Sequence, residues 1–146
     1  SDMRKGGPPP SRHSASITLN NDPQAIRAIE EEILSIAKEQ DYPEAACFAI
    51  RLAIEEAVYN AFRHGHKNLP DEPIAVEWKF DARSLTITVT DKGPGFDPNV
   101  IPDCTREDRL ELPHGRGLML MKAYMTSITY NDRGNKVTMY YEKPAD

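Results

Sequence analysis

Glu56 and Asn60 interrupt a helical stretch that is otherwise too apolar to leave a carboxylate unexplained. They lie four residues apart in EEAVYNAFRHGHKN, Glu55 to Asn68, a spacing that stacks them on successive turns of one helix face. Upstream the same stripe reads Ala45, Ala49, Leu52 and Ala53, while the other side carries Ile50, Ile54, Val58 and Ala61. Arg51 and Glu55 are the charges left to face water in the middle. A helix that is apolar nearly all round is expected to be buried, and a carboxylate buried with it costs several kcal/mol unless it is paired. Glu56 therefore requires a partner or a task.

Two glycine segments further along could hold a ligand. In TDKGPGFDP, Asp91 stands at a strand end just before Gly93 and Gly95. Glycines permit close backbone approach, and a carboxylate at that place can accept a hydrogen bond from an amino group, as a nucleotide base would offer. An ordinary tight turn with a solvated aspartate is the other reading. In HGRGLML, Gly115 and Gly117 open a helix and Arg116 adds a positive charge. Unpaired N–H groups and the helix dipole suit such an entry to phosphate, although a glycine-rich helix start without a ligand has the same sequence. No G-x-G-x-x-G follows a strand in a parallel βαβ unit, so a Rossmann site is excluded. The four histidines complete no zinc spacing. His64 reads as a structural, helix-end histidine, and the methionines at 119, 121 and 125 as core filler.

These residues need a scaffold, and periodicity supplies one. SASITL reads as an edge strand, followed by a helix over Pro23 to Gln40 whose apolar face is Ile26, Ile29, Ile33, Leu34, Ile36 and Ala37. Asn20 to Asp22 offer its cap, DYP breaks it, and a second helix runs from about Glu44 to about His64. PIAVEWKFD and SLTITVTD then alternate with period two around a DARS turn, the pattern of an antiparallel hairpin. A long polar stretch from Lys92 to His114 precedes a third helix in GLMLMKAYM, and a last hairpin turns near Asp132 to Asn135. Strands linked by hairpins and grouped beside helices predict an α+β two-layer sandwich.

Length and composition set the outer bounds. The 146 residues fit one domain with a core of its own. A proline- and glycine-rich tail occupies residues 1–15, with His13 inside it, and a single domain fills 16–146. A net charge of −5, with 18 scattered Lys and Arg, argues against a nucleic-acid surface. No apolar run is long enough to span a membrane, and Cys47 and Cys104 lack metal or disulfide-framework spacing, so a reducing cytoplasm is the expected setting.

In this order, EEAVYNAFRHGH, DKGPGFD, HGRGLMLM and GNKVTM resemble the boxes of the gyrase, heat-shock-90, histidine-kinase and MutL ATPase superfamily, over about residues 16 to 142. Within it the short chain and the E-A-V-x-N-A-x-x-H-G pattern look like bacterial anti-sigma factor serine/threonine kinases. The resemblance implies the Bergerat ATP-binding fold, a mixed, mostly antiparallel sheet with helices on one face. It implies ATP and Mg2+ as cofactors, with Glu56 as general base toward a protein hydroxyl and Asn60 as the Mg2+ ligand. Asp91 would receive the adenine amino group, Gly93 and Gly95 would shape the adenine pocket, and Gly115, Arg116 and Gly117 would border the phosphates. Thr138 would support the adenine through its hydroxyl, and residues 97 to 114 would form a lid. The implied partners are a sigma factor and an anti-anti-sigma protein of STAS type, with the kinase as a homodimer. A partner-switching module that binds nucleotide without kinase activity is the alternative. The ATP domain of a histidine kinase fits less well, because no long two-helix segment with a phosphoacceptor histidine lies upstream.

Overall fold

In the computed structural model, residues 13–93 and 122–144 are described. Strand β1 (Ser14–Leu19) leads to helix α1 (Pro23–Glu39), and helix α2 (Glu44–Asn60) continues into a π-helical turn, Ala61–Gly65. Strands β2 (Ile74–Phe80), β3 (Ser84–Thr90), β4 (Ser127–Tyr130) and β5 (Lys136–Glu142) complete the elements named among the described residues. The five strands form one sheet in the order β1-β2-β3-β5-β4, and all four pairings are antiparallel. This is the expected α+β arrangement. Strand β1 begins two residues before the expected domain start, with Ser14 and Ala15 opposite Lys79 and Trp78. His13 is likewise no part of a free tail, since its carbonyl accepts the Phe80 N–H at 2.7 Å and its ring meets the edge of Phe80.

Register explains the core. Ala15, Trp78, Ile87, Met139 and Ile128 face one another across all five strands, and Ile17, Val76, Val89, Val137 and Tyr130 make the next row. These rows lie on the face that the helices cover. Alternate residues form the opposite face, where Ser16, Glu77, Thr88, Thr138 and Thr129 align. Period-two alternation thus separates an apolar layer from a threonine-rich polar one.

Helix α1 starts where Asp22 accepts a hydrogen bond from the Gln24 amide at 3.3 Å with Pro23 in the first turn, a normal capping arrangement. It stops at Gln40, and Asp41 adopts φ 63°, which reverses the chain toward α2. Asp tolerates this left-handed conformation better than most residues. Helix α2 buries Ala46, Ala49, Ala53 and Ala57 almost completely, with Ile50, Ile54 and Val58 beside them, and Ala61 of the π turn is buried too. Ala45, assigned from sequence to the buried stripe, is exposed, and Leu52 is half-buried. The buried arc is shifted by one residue from the predicted one. Small residues on the buried arc let neighbouring elements approach the helix axis, which is how an apolar helix buries most of its surface.

One buried charge between the helices was not legible in the sequence. Glu30 of α1 is 5 % exposed and bonds to Arg51 of α2 at 3.2 Å. Burial first, and then the neighbouring Glu55 carboxylate, push its pKa up to about 7, against the opposing pull of Arg51. Because the folded value lies above the ordinary 4.5, folding favours the protonated form. That contribution is full below about pH 4.5 and is lost as pH rises to about 7. Glu30→Gln is predicted to remove this slope and to gain about 1–3 kcal/mol over the parent at pH 8, with little difference near pH 4. Urea unfolding at several pH values tests it; a parent stability that rises through the same window contradicts it.

Candidate functional site

The stripe of α2 runs directly into a junction with the end of β3. Glu56 is 5 % exposed, whereas Glu55 is exposed, so helix geometry turns Glu56 inward as its spacing predicts. Asn60, one turn on, is half-buried. There the helix widens: the His66 N–H reaches back five residues to the Ala61 carbonyl at 2.8 Å. Such π turns are uncommon and recur at functional sites. Here the turn delivers Gly65 onto the carboxyl group of Asp91.

Asp91 continues the Leu85, Ile87, Val89 alternation past β3, so it falls on the helix-covered side of the sheet. A Cβ added at Gly65 would overlap the Asp91 carboxyl carbon and both its oxygens, and a Cβ at Gly93 would strike the Gly65 carbonyl. No side chain fits at either place. The Gly93 N–H donates to Asp91 Oδ1 at 2.8 Å. On the other side, the Asp91 N–H donates to the Asn135 carbonyl at 2.9 Å while Asn135 Nδ2 donates to the Asp91 carbonyl at 2.9 Å. Arg133 Nη2 closes the ring of contacts at the Gly93 carbonyl, 3.3 Å away. Asp91 is therefore held by backbone groups from three segments.

Its electrostatics follow from that packing. Burial raises the Asp91 pKa above the usual aspartate range, and the Gly93 N–H and Arg133 offset part of the rise. A carboxylate that is half-buried with only part of its acceptor capacity used is suited to a ligand's N–H donor. Beside it His66, 2 % exposed, accepts the Lys92 N–H at Nε2, 2.7 Å, and donates from Nδ1 to the Glu72 carbonyl, 2.9 Å. Lys92 Nζ pairs with Glu72 at 2.8 Å, which holds the Glu72 carboxyl below its usual range.

Several expectations are changed by these contacts. His64 lies at the helix end as expected, exposed and edge-on to Tyr59, whereas the histidine that braces the turn before Gly93 is His66. Thr138 is not brought to the Asp91 side: Val137 and Met139 point into the core, so the intervening hydroxyl points to the opposite face between Thr88 and Thr129. Asn135, three residues earlier, is the β5-side group that reaches Asp91. Gly95, Gly115, Arg116 and Gly117 lie outside the described residues, as do the 97–114 stretch and most of the third helix, of which 122–124 are helical. No cluster of metal-binding side chains occurs among the described residues. Gly65, His66 and Asn135 were missed because their contacts are to main-chain groups or to a side chain distant in sequence, which composition and spacing do not display. Their visible traces were the H-G-H run for Gly65 and His66 and the GNKVTM segment for Asn135.

Comparisons with known proteins bear on the family and the fold. A family profile described as a histidine kinase-like ATPase domain matches residues 19–141. An anti-sigma F factor of Geobacillus stearothermophilus is 30 % identical over 100 residues, which cover 66 % of this chain and 67 % of that protein. A serine-protein kinase RsbW of Listeria monocytogenes is 26 % identical over 131 residues, 85 % of this chain and 83 % of its own. A crystal structure of RsbU and RsbW domains from Mycobacterium tuberculosis superposes with a TM-score of 0.61 at 19 % identity, covering 90 % of this chain and 33 % of that one. The last match speaks to the fold.

Gly65→Ala is predicted to cost about 1–3 kcal/mol, because the added methyl must displace the Asp91 carboxyl or the π turn. Chemical denaturation measures it, and a variant within about 0.5 kcal/mol of the parent would show that the contact yields freely.

Proposed function

The chain belongs to the histidine kinase-like ATPase domain family, and from that premise we propose that it is an ATP-dependent protein serine/threonine kinase that binds a sigma factor and phosphorylates an anti-anti-sigma protein. The observation that carries the reading is the Asp91 cradle: a half-buried carboxylate at a strand end, packed on two glycines, continuous with a helix that presents Glu56 and Asn60. The residues fit a nucleotide. The absence of side chains at Gly65 and Gly93 leaves the Asp91 carboxylate packed against backbone, as recognition of a flat base by its amino group requires.

ATP, when bound with Mg2+, supplies the γ-phosphoryl group and the cation that neutralises phosphate charge. Asp91 accepts the adenine amino group and so positions the base. Asn60 offers an amide oxygen, a ligand type that Mg2+ prefers. Glu56 takes the proton from the serine or threonine hydroxyl of the partner as that oxygen bonds to phosphorus, and the bond to the β-phosphate oxygen breaks to leave ADP. Burial of Glu56 supports its use as a base shielded from water, and its place one turn before Asn60 would bring it near phosphates held through Asn60. Gly95, Gly115, Arg116 and Gly117 are assigned to the adenine pocket and phosphates from their sequence pattern alone. A homodimer in the cytoplasm belongs to the same proposal.

Some relatives bear the name anti-sigma F factor and others serine-protein kinase, which keeps a nucleotide-binding module without phosphoryl transfer as the second reading. Glu56→Gln separates the two. The variant should bind ATP within about twofold of the parent yet transfer phosphate from γ-labelled ATP to a STAS-type antagonist at least ~100-fold more slowly. Equal transfer rates would remove Glu56 from the chemistry, and a parent that binds ATP but transfers nothing would leave the second reading.

A further inference from the structure

We infer that His66 is a positioning residue for base recognition: its imidazole fixes the peptide between Asp91 and Gly93 and thereby aims the Asp91 carboxylate. The inference rests on the nucleotide reading above and assigns the means by which that site is held in shape. His66 sits at the end of the π turn and is almost fully buried. Its two ring nitrogens meet main-chain groups of opposite kind. Nε2 faces the Lys92 N–H at 2.7 Å, so it must be the acceptor, and Nδ1 faces the Glu72 carbonyl at 2.9 Å, so it must carry the hydrogen. Only the neutral Nδ1–H tautomer satisfies both.

This placement matters because of what lies on either side of Lys92. The preceding residue is Asp91, and the following N–H, that of Gly93, is the donor to Asp91 Oδ1 at 2.8 Å. Rotation of the Asp91–Lys92 peptide would move that donor and withdraw the carboxyl from its seat on Gly65. Asn135 pins the Asp91 N–H and carbonyl, and Arg133 holds the Gly93 carbonyl. The Lys92 N–H is the remaining main-chain donor of the turn, and His66 takes it. Its other nitrogen ties the turn to the segment before β2, where Glu72 also pairs with Lys92 Nζ. The Phe62 ring lies edge-on at 6.0 Å and limits how the imidazole can tilt. His66 does not touch the base in this arrangement; it acts through the turn.

The test uses the full chain with His66→Gln, His66→Leu and His66→Asn. Two readouts are taken: backbone amide exchange by NMR, and affinities for ATP and for inosine triphosphate, which lacks the amino group that Asp91 would accept. A glutamine amide can accept from the Lys92 N–H and donate to the Glu72 carbonyl; leucine can do neither, and asparagine is too short to span both. The parent should prefer ATP over inosine triphosphate by roughly 10- to 100-fold, the range for a hydrogen bond to a charged acceptor. In His66→Leu the Lys92 and Gly93 amides should exchange faster and the preference should shrink toward unity, while affinity for inosine triphosphate stays within about twofold. His66→Gln should keep both properties and His66→Asn should lose them.

A folded His66→Leu with the parent's preference and Gly93 protection overturns the role of His66 and leaves the nucleotide reading standing. If that variant does not fold, equal behaviour of the Gln and Asn variants overturns it instead. A parent that binds the two nucleotides equally defeats the base reading and the role of His66 together, and it does so before any variant is made.

Discussion

The candidate site depends on the meeting of Gly65 with Asp91. One is the last residue of the π turn that ends the long apolar helix, the other the first residue beyond a central strand. They touch with no side chain between them, and Gly93 packs from the far side. Sheet register places Asp91 on the helix-covered face, and the widened turn brings Gly65 to it. If α2 ended in regular α-helix, its last residue would be rotated and raised relative to the strand, because a π turn inserts one residue into the helical repeat. The fold and the candidate site are thus joined at one backbone contact.

Three carboxylates are withdrawn from water around this framework, and they are treated differently. Asp91 is held by the Gly93 N–H of its own turn, by the Asn135 carbonyl that accepts its N–H and by Asn135 Nδ2 that donates to its carbonyl, which keeps its direction fixed. Glu56 is buried on the face of α2 that runs into the junction. Glu30 lies on α1 against α2, where Arg51 answers only part of the cost of burial and a proton answers the rest. Desolvation is large enough to decide protonation at such places. Asp91 and Glu30 share the upward shift, but only Asp91 sits beside glycines that leave its carboxylate edged by backbone.

Much of the fold was legible because two periods were clean. Ile74, Val76, Trp78 and Phe80, with Leu85, Ile87 and Val89, announced two strands, and the inward turn of Glu56 followed from helix spacing. The offset of the buried arc of α2, with Ala46 rather than Ala45 facing in, was not legible, since alanine carries little contrast between the faces. Thr138 was misplaced because the hydroxyl was assigned by motif while strand alternation, read from Val137 and Met139, already turned it outward. His66 and Asn135 were invisible for another reason. Each bonds main-chain groups distant in sequence, and a one-dimensional pattern records residue types, whereas those partners are the same at every position. Glu30 needed the crossing of two helices to acquire Arg51 as its neighbour.

The measurement that tests the central claim most directly is calorimetric titration of the chain with ATP in the presence and absence of Mg2+, repeated with Asp91→Asn. Asparagine keeps the size of the side chain but removes the charge that would accept an amino group. The account predicts ATP binding that Mg2+ strengthens and that Asp91→Asn weakens by at least roughly 10-fold, as expected for a hydrogen bond to a charged group. Parent and variant binding ATP equally, or a folded parent that binds none, would contradict it.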